Sequence, residues 1–303
     1  MRRLLVESAG PRTTVEDRGR RRVGRFGIPP GGAFDAAALA EANRAVGNDP
    51  DRAGLEATLA GPSLRNVGRE PVAIAIVGGS LLSESGEAAA HLLLRPGELV
   101  GTMPLHGARA WIAVAGGVAV PPVLDSRSTC LSASFGGFDG RPLAAGDVLP
   151  IGAPSSPDPG PEPPARECPS AVPSSRVPFA ELRLVRGPSA DLWPLDPVGL
   201  LGSTLWTVSG DSDRTGVRLR PLDPAIAPHL GGVAGIPPQG TVLGAVQAPP
   251  DGSAIVLGPD RPVTGGYAMP AIVVSSDIGV VARLRPGARV RFVAARLALS
   301  RTA

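Results

Sequence analysis

Lysine is missing altogether: every cation among the 303 residues is an arginine. The chain can therefore carry neither a biotinyl-lysine nor a phosphate-binding loop of the GxxxxGK[ST] type. Aromatic residues make up only 3% of the sequence, so no stacking platform accompanies its basic pI of about 9.6, and nucleic acid is not an expected partner. Only two cysteines occur, Cys130 and Cys168, too few for a disulfide framework and in keeping with a reducing compartment. The three histidines, His91, His106 and His229, share no ligand spacing, and no metal site is expected. Long apolar runs are lacking too. The longest, from Val72 to Leu82, falls far short of the ~20 residues that span a bilayer. The opening MRRLLVESAG has too few apolar residues before Glu7 for a secretory leader, so a cytoplasmic protein is expected, with no membrane association. No GxSxG, HExxH or GxGxxG is found, and Cys130, with no histidine nearby, reads as a small core residue and not as a nucleophile.

What the chain does have is glycine, 40 residues, and proline, 35, beside 43% hydrophobic residues and a net charge of +3. That balance predicts a folded chain of short strands and many turns. Strand-like segments stand at 72–79, 109–118, 205–210, 241–248, 253–258, 271–276 and 288–293, punctuated by Gly, Pro and Asp. One helix is predicted from about Asp35 to Val46, with Asp35 as its cap, Leu39, Ala42 and Val46 on one stripe, and Gly47-Asn48 as its stop. The run from Ala153 to Ser175 is too proline-rich to pack a core. It predicts a division into 1–152, a linker over 153–176, and 177–303, the alternative being a long surface loop in one fold. LRPGELVG at 94–101 echoes LRPGARVRF at 284–292, compatible with two similar halves.

Three loop clusters hold the candidate chemistry. In TTVEDRGRRRVGRFGIPPGGAFD (13–35), glycines allow close backbone approach and leave Asp17, Arg18, Arg20 and Asp35 to meet a ligand, or leave Asp17 and Arg20 to lock the loop as an ion pair. After VAGGV, the run Arg127, Ser128, Thr129 suits a carboxylate or phosphate, or else is an ordinary Ser/Thr turn. In the second half, Asp213 and Asp260 are candidate bases and Arg214, Arg218 and Arg261 candidate anion clamps. Gln247, Thr264, Gly265, Gly266 and Tyr267 add neutral groups suited to a small amide or carboxylate.

Taken in order, TTVEDRGRRRVGRFGIPPGGAFD, ANRAVGN with LEATLAGP (42–62), VAGGV with SRST (114–129), GRPLAAGDVL (140–149), SDRTGVRL (212–219) and GAVQAPPDGSAIVLGPDRPVTGGY (244–267) resemble one family. It is the family of allophanate hydrolase subunit 2, KipA and the C subunit of 5-oxoprolinase, also called the biotin-dependent carboxyltransferase family. The resemblance implies an all-β fold of two cyclophilin-like β-barrels and a partner of the KipI / allophanate hydrolase subunit 1 type (the B subunit of 5-oxoprolinase), with a third, LamB/YcsF-like component. It implies an ATP-dependent 5-oxoprolinase that opens 5-oxo-L-proline to L-glutamate, with ATP and Mg²⁺ acting at the level of the complex. Asp17, Arg20, Asp35, Asp213, Arg214 and Asp260 would then be catalytic. Arg127, Ser128, Thr129, Arg218, Gln247, Thr264, Gly265, Gly266 and Tyr267 would bind substrate. The family leaves two further readings: a carboxyltransferase component of a urea/allophanate system whose biotin sits on another chain, and a KipA-like regulator that binds a kinase inhibitor. Against the family pattern, Glu16 stands for a frequent Gln, Phe34 for Met, Asp125 for Gly, Cys130 for a polar residue, and GGYAMP for GGYP.

Overall fold

The computed structural model describes residues 2–103, 105–154, 179–231, 233 and 236–296. The described chain is mostly β and clusters into two units. The first takes the residues up to 154 together with Ala282–Arg285, and the second takes those from 179 to Val281 and from Pro286 onward. Nearly all of the proline-rich run, including Cys168, lies outside the described residues.

The first unit contains β1 (Arg3–Ser8), β2 (Arg12–Glu16), β3 (Gly54–Thr58), β4 (Ser63–Asn66), β5 (Val72–Val77), β6 (Leu81–Ser83), β7 (Ala88–Ala89), β8 (His91–Leu94), β9 (Leu99–Thr102), β10 (Arg109–Val114) and β11 (Val148–Pro150). They form a six-stranded sheet, β11-β1-β4-β9-β6-β7, and a five-stranded sheet, β2-β3-β10-β5-β8. Every residue of β5 and β10 is buried, because both faces of that central pair are covered. On one face Ile74, Ile76, Ile112 and Val114 join Leu4, Val6, Leu64 and Leu149 of the other sheet in one core. On the opposite side lies α1 (Ala36–Ala45), packed on β10 and β5. It is the helix that the spacing predicts: the Asp35 side chain accepts from Ala38 N at 3.0 Å, and Gly47, at φ 72°, follows the last turn.

Arg141 grips Asp147 with two hydrogen bonds of 2.8 Å, and Ala144 N donates to the same carboxylate. The Arg141 hydrogen bonds hold the Asp147 carboxyl below the usual carboxylate range, against an opposing effect of burial. A depressed folded-state pKa stabilises the fold above the unfolded value of about 4. That stabilisation disappears as pH falls through the lower folded value. Arg141→Gln is expected to flatten the acid side of the stability curve, read from urea midpoints between about pH 6 and pH 2; an unchanged profile would show that the pair contributes nothing to acid stability.

The second unit is a closed barrel of β12 (Ala180–Arg186), β19 (Ala268–Val273), β16 (Ala245–Ala248), β17 (Ala254–Leu257), β14 (Gly216–Pro221), β13 (Leu205–Val208) and β20 (Arg289–Ala294), with a two-residue ribbon, β15 (Gln239–Gly240) and β18 (Thr264–Gly265), beside it. Trp206 and Phe292, both fully buried, meet edge-to-face at 5.7 Å. Barrel closure is observed in this unit, while the strands of the first unit lie in two sheets.

Three sequence expectations need correction in the second half. Three short helices, α2 (Pro197–Gly202), α3 (Ala227–Leu230) and α4 (Ile278–Arg283), stand where no helix was expected. They are four to six residues long, too short for a helical period to show, although Asp196 before Pro197 caps α2 by accepting from Gly199 N at 3.0 Å. The strand expected over 271–276 ends at Val273, and Ser275–Asp277 turns as a 3-10 helix. Likewise 241–248 is strand only from Ala245, because Gly244 sits at φ 81°. Among the described residues no helix is long and apolar enough to cross a membrane.

Candidate functional site

In the first unit the two expected loop clusters fold onto each other around Asp17. Its Oδ1 accepts from Gly19 N (2.8 Å), Ser126 Oγ (2.7 Å) and Ser128 Oγ (2.6 Å), and its Oδ2 from Arg127 N (2.6 Å). Four donors thus converge on one carboxylate, three at Oδ1 and one at Oδ2. Arg20, 3% exposed, donates through Nη2 to Ser128 O and lays its guanidinium 4.6 Å from the centre of the Phe135 ring. The two loops are therefore joined through Ser128, and among the described residues no direct Asp17–Arg20 ion pair forms. Gly136 is required at this junction, since a Cβ there would lie 2.2 Å from Arg20 Nη2.

The Arg127-Ser128-Thr129 run is spent on the same junction. Arg127 Nε donates to Val120 O at 2.8 Å and Thr129 Oγ1 to Val15 O at 3.0 Å. Leu124 and Asp125 precede it at φ 54° and 61°, a left-handed pair at the tip of a turn closed by backbone hydrogen bonds between Val123 and Ser126. Arg18, the other arginine named in this loop, pairs with Asp51.

A second buried polar group was not foreseen. Glu56 on β3, 1% exposed, accepts through Oε2 from Phe34 N (2.7 Å) and from Trp111 Nε1 (2.9 Å), and its Oε1 lies 3.6 Å from Arg109 Nε. Arg109 stacks over Phe34 at 4.7 Å and donates to Ala282 O at 2.8 Å. Asp35 bonds Arg283 at 2.9 Å in addition to capping α1. The available signal was a glutamate inside the otherwise apolar LEATLA and an arginine opening RAWIAV. Trp111, buried in β10, is thus also a hydrogen-bond donor.

In the second unit Arg214, 2% exposed, holds Asp260 bidentately, Nε to Oδ2 at 2.8 Å and Nη2 to Oδ1 at 2.9 Å. Asp213 closes a turn by accepting from Thr215 N (2.8 Å) and Gly216 N (3.2 Å), and the Arg218 backbone bonds Ser212 Oγ at 3.0 Å with its side chain on an exposed position of β14. Thr264 and Gly265 pair with Gly240 and Gln239, while Gly266 and Tyr267 are exposed. Gln247 is 5% exposed, and its carboxamide lies against Gly265. Arg261, on the loop between β17 and β18, is partly buried, and burial lowers its pKa from that of a free guanidinium.

The structure thus brings together Asp17, Arg20, Arg127, Ser128 and Thr129 in one place, Arg214 with Asp260 in another, and Gln247 with Gly265 in a third. Open cavities occur within the units. One of about 470 Å³ is lined by Glu84, Glu87, His91 and Glu98, and one of about 530 Å³ by Thr204, Asp223, Arg291 and Phe292. Neither is lined by a residue named from the sequence as catalytic or substrate-binding. Among the described residues no group of three His, Cys, Asp or Glu is placed to hold a metal ion.

Comparison with known proteins places this geometry. The chain is 34% identical to urea amidolyase of Lachancea kluyveri over 95% of its own length but 17% of that protein, so it spans about a sixth of that curated relative. It is 32% identical to the C subunit of 5-oxoprolinase from Escherichia coli (strain K12), over 96% of this chain and 90% of that one. Among solved structures, TTHA0988 superposes with a TM-score of 0.77 at 32% identity, covering 96% of this chain and 99% of the other. The Kluyveromyces lactis urea carboxylase superposes at 0.82 and 28% identity over 97% of this chain and 27% of the other. Residues 26–294 match the carboxyltransferase domain, subdomain A and B, and the chain belongs to that family.

Proposed function

We propose that this chain is one component of an ATP-dependent 5-oxoprolinase, which opens 5-oxo-L-proline to L-glutamate. One observation carries the reading: a relative named as the C subunit of 5-oxoprolinase is matched at 32% identity along 90% of its length. In this reading 1–152 and 177–303 are two cyclophilin-like barrel halves joined by the linker 153–176. The protein works in the cytoplasm with a KipI/allophanate hydrolase subunit 1-like partner and a third, LamB/YcsF-like component.

Opening an unactivated lactam is unfavourable, and phosphorylating its oxygen creates a better leaving group, the chemistry that ATP would supply. The described residues do not fit a nucleotide or Mg²⁺ site: lysine is absent, and the described acidic residues form no metal-ligating group. ATP handling is therefore assigned to the partner chains. What this chain contributes is binding and orientation. Asp17, Arg20 and Arg127–Thr129 hold one loop pair rigid, Asp35 anchors α1, and Arg214–Asp260 fixes the loop that leads to Thr264–Tyr267. Arg218, Gln247, Arg261, Thr264 and Tyr267 are polar groups left to face a ligand.

Co-expression with the cognate partner proteins should yield 5-oxoproline-dependent phosphate release that this chain's omission abolishes. An intact complex with no such release would overturn the proposal. The second reading, a carboxyltransferase component fed by carboxybiotin, is favoured by the urea carboxylase likeness. Its carrier must be another chain, and avidin capture of a co-purifying biotinylated protein would support it.

A further inference from the structure

Among the described residues β8 is the outer strand of the five-stranded sheet, and its neighbour there is β5. Ile76 N donates to Ala90 O at 2.8 Å, one step beyond the pairing of Ala75 with His91, so the cross-strand bonds fall on Leu92 and Leu94. The N–H and C=O of Leu93 therefore point away from β5, toward the open edge. The side chains keep the alternation of a strand: Leu94 is buried and Leu92 packs against the core between the sheets, while Leu93 is 46% exposed. Soluble proteins ordinarily cover such an apolar edge or break it with charge or proline. This one borders the cavity of about 470 Å³, which is lined by all of β8 together with Ser83, Glu84, Glu98 and Leu99, at the ends of β6 and β9 in the other sheet.

The cleft is acidic although the chain as a whole carries +3. Glu84, Glu87 and Glu98 line it, against Arg95 and the half-buried His91. Glu84 lies 3.6 Å from Arg65 and Glu98 3.6 Å from Arg95, and exposed pairs of this kind hold their charges only weakly. Glu87 is exposed, and among the described residues it forms no ion pair. A second copy docked through the same edge would set the carboxylates of one protomer against those of the other, because a two-fold interface uses one patch twice. Like charges so placed repel. The occupant that answers both the open backbone and the carboxylates is a strand of opposite charge.

We propose that β8 and this cleft are a docking site for an extended segment of a partner protein in which apolar residues alternate with arginine or lysine. The segment lies beside β8 and exchanges main-chain hydrogen bonds with Leu93, which supplies affinity without regard to sequence. Its apolar side chains cover the core margin at Leu92, and its cations meet Glu84, Glu87 and Glu98, which supply the specificity. The site is independent of which reaction the chain serves.

The test uses the full chain and two fluorescent peptides of about eight residues, one alternating valine with arginine and the other valine with glutamate. The wild type should bind the arginine peptide at least about tenfold more tightly than the glutamate peptide, and added salt should shrink that preference. Glu87→Arg should weaken binding of the arginine peptide about fivefold. Leu93→Pro removes the outward N–H and none of the bonds to β5, so its urea midpoint should hold while arginine-peptide binding falls at least about tenfold. Equal binding of the two peptides by the wild type, or wild-type affinity in Leu93→Pro, overturns the proposal. If Leu93→Pro fails to fold, Glu87→Arg and the comparison of the two peptides decide. A wild-type dimer in sedimentation that Leu93→Pro breaks would assign the edge to a second copy and overturn the proposal. Arginine-peptide binding that appears only after residues 297–303 are removed would do the same, by assigning the cleft to a segment of this chain.

Discussion

Asp17→Ala is expected to destabilise the first unit by about 3–5 kcal/mol, because it strips the acceptor from four donors at once. Ser126 and Ser128 hydroxyls can rotate to new partners, but the Gly19 and Arg127 amides are fixed by the backbone and stay unsatisfied. Asp17→Asn keeps the acceptor at Oδ1 and replaces the one at Oδ2 by a donor facing Arg127 N, so it should cost roughly half as much. Urea unfolding of the two variants against the wild type measures both. A loss below about 1 kcal/mol for alanine would mean that Asp17 is not what holds the loops.

Arg214→Ala should cost the barrel unit a comparable 3–5 kcal/mol, since it leaves Asp260 as an unpartnered carboxylate at a site where only 15% of its side chain is exposed. Replacing both partners, Arg214→Met with Asp260→Leu, removes the uncompensated charge and should recover most of that loss. A double-mutant cycle therefore reads a large coupling energy if the pair acts as one unit, and additive losses if it does not. Intrinsic fluorescence follows both units, because Trp111 lies in the first and Trp193 and Trp206 in the second. The same variant should loosen the loop that carries Arg261.

Much of the strand content was legible because β5 and β10 are short apolar runs bounded by glycine, and the cap at Asp35 was legible because capping is a local act. Closure was not. Which strand pairs with which depends on partners far apart in the chain, and no local pattern states it. The short helices escaped because a turn or two shows no period. Among the site residues, Asp17 and Ser128 stood out as a polar, glycine-hinged cluster, but sequence left open whether they would meet a ligand or lock a loop. Four hydrogen bonds to one carboxylate show where those lone pairs are spent. Glu56 was passed over because a lone charge in a strand looks like a surface position until Trp111 and Phe34 are found donating to it.

The barrel of the second unit is sealed by β12 and β20, whose parallel register joins Ala180 to Val290 and Leu184 to Ala294. That seam unites residues about 110 positions apart, and long-range pairings of this kind are slow to form. On a ribosome the other six strands of the ring emerge first, with β12 still lacking its second neighbour and its unpaired edge open to other chains. Only when Arg289–Ala294 arrives does that edge vanish. The last strand of the barrel thus sets the end of the period in which this protein is exposed to misassembly, and variants in β20 should reveal themselves first as poor yield and only afterwards as lost activity.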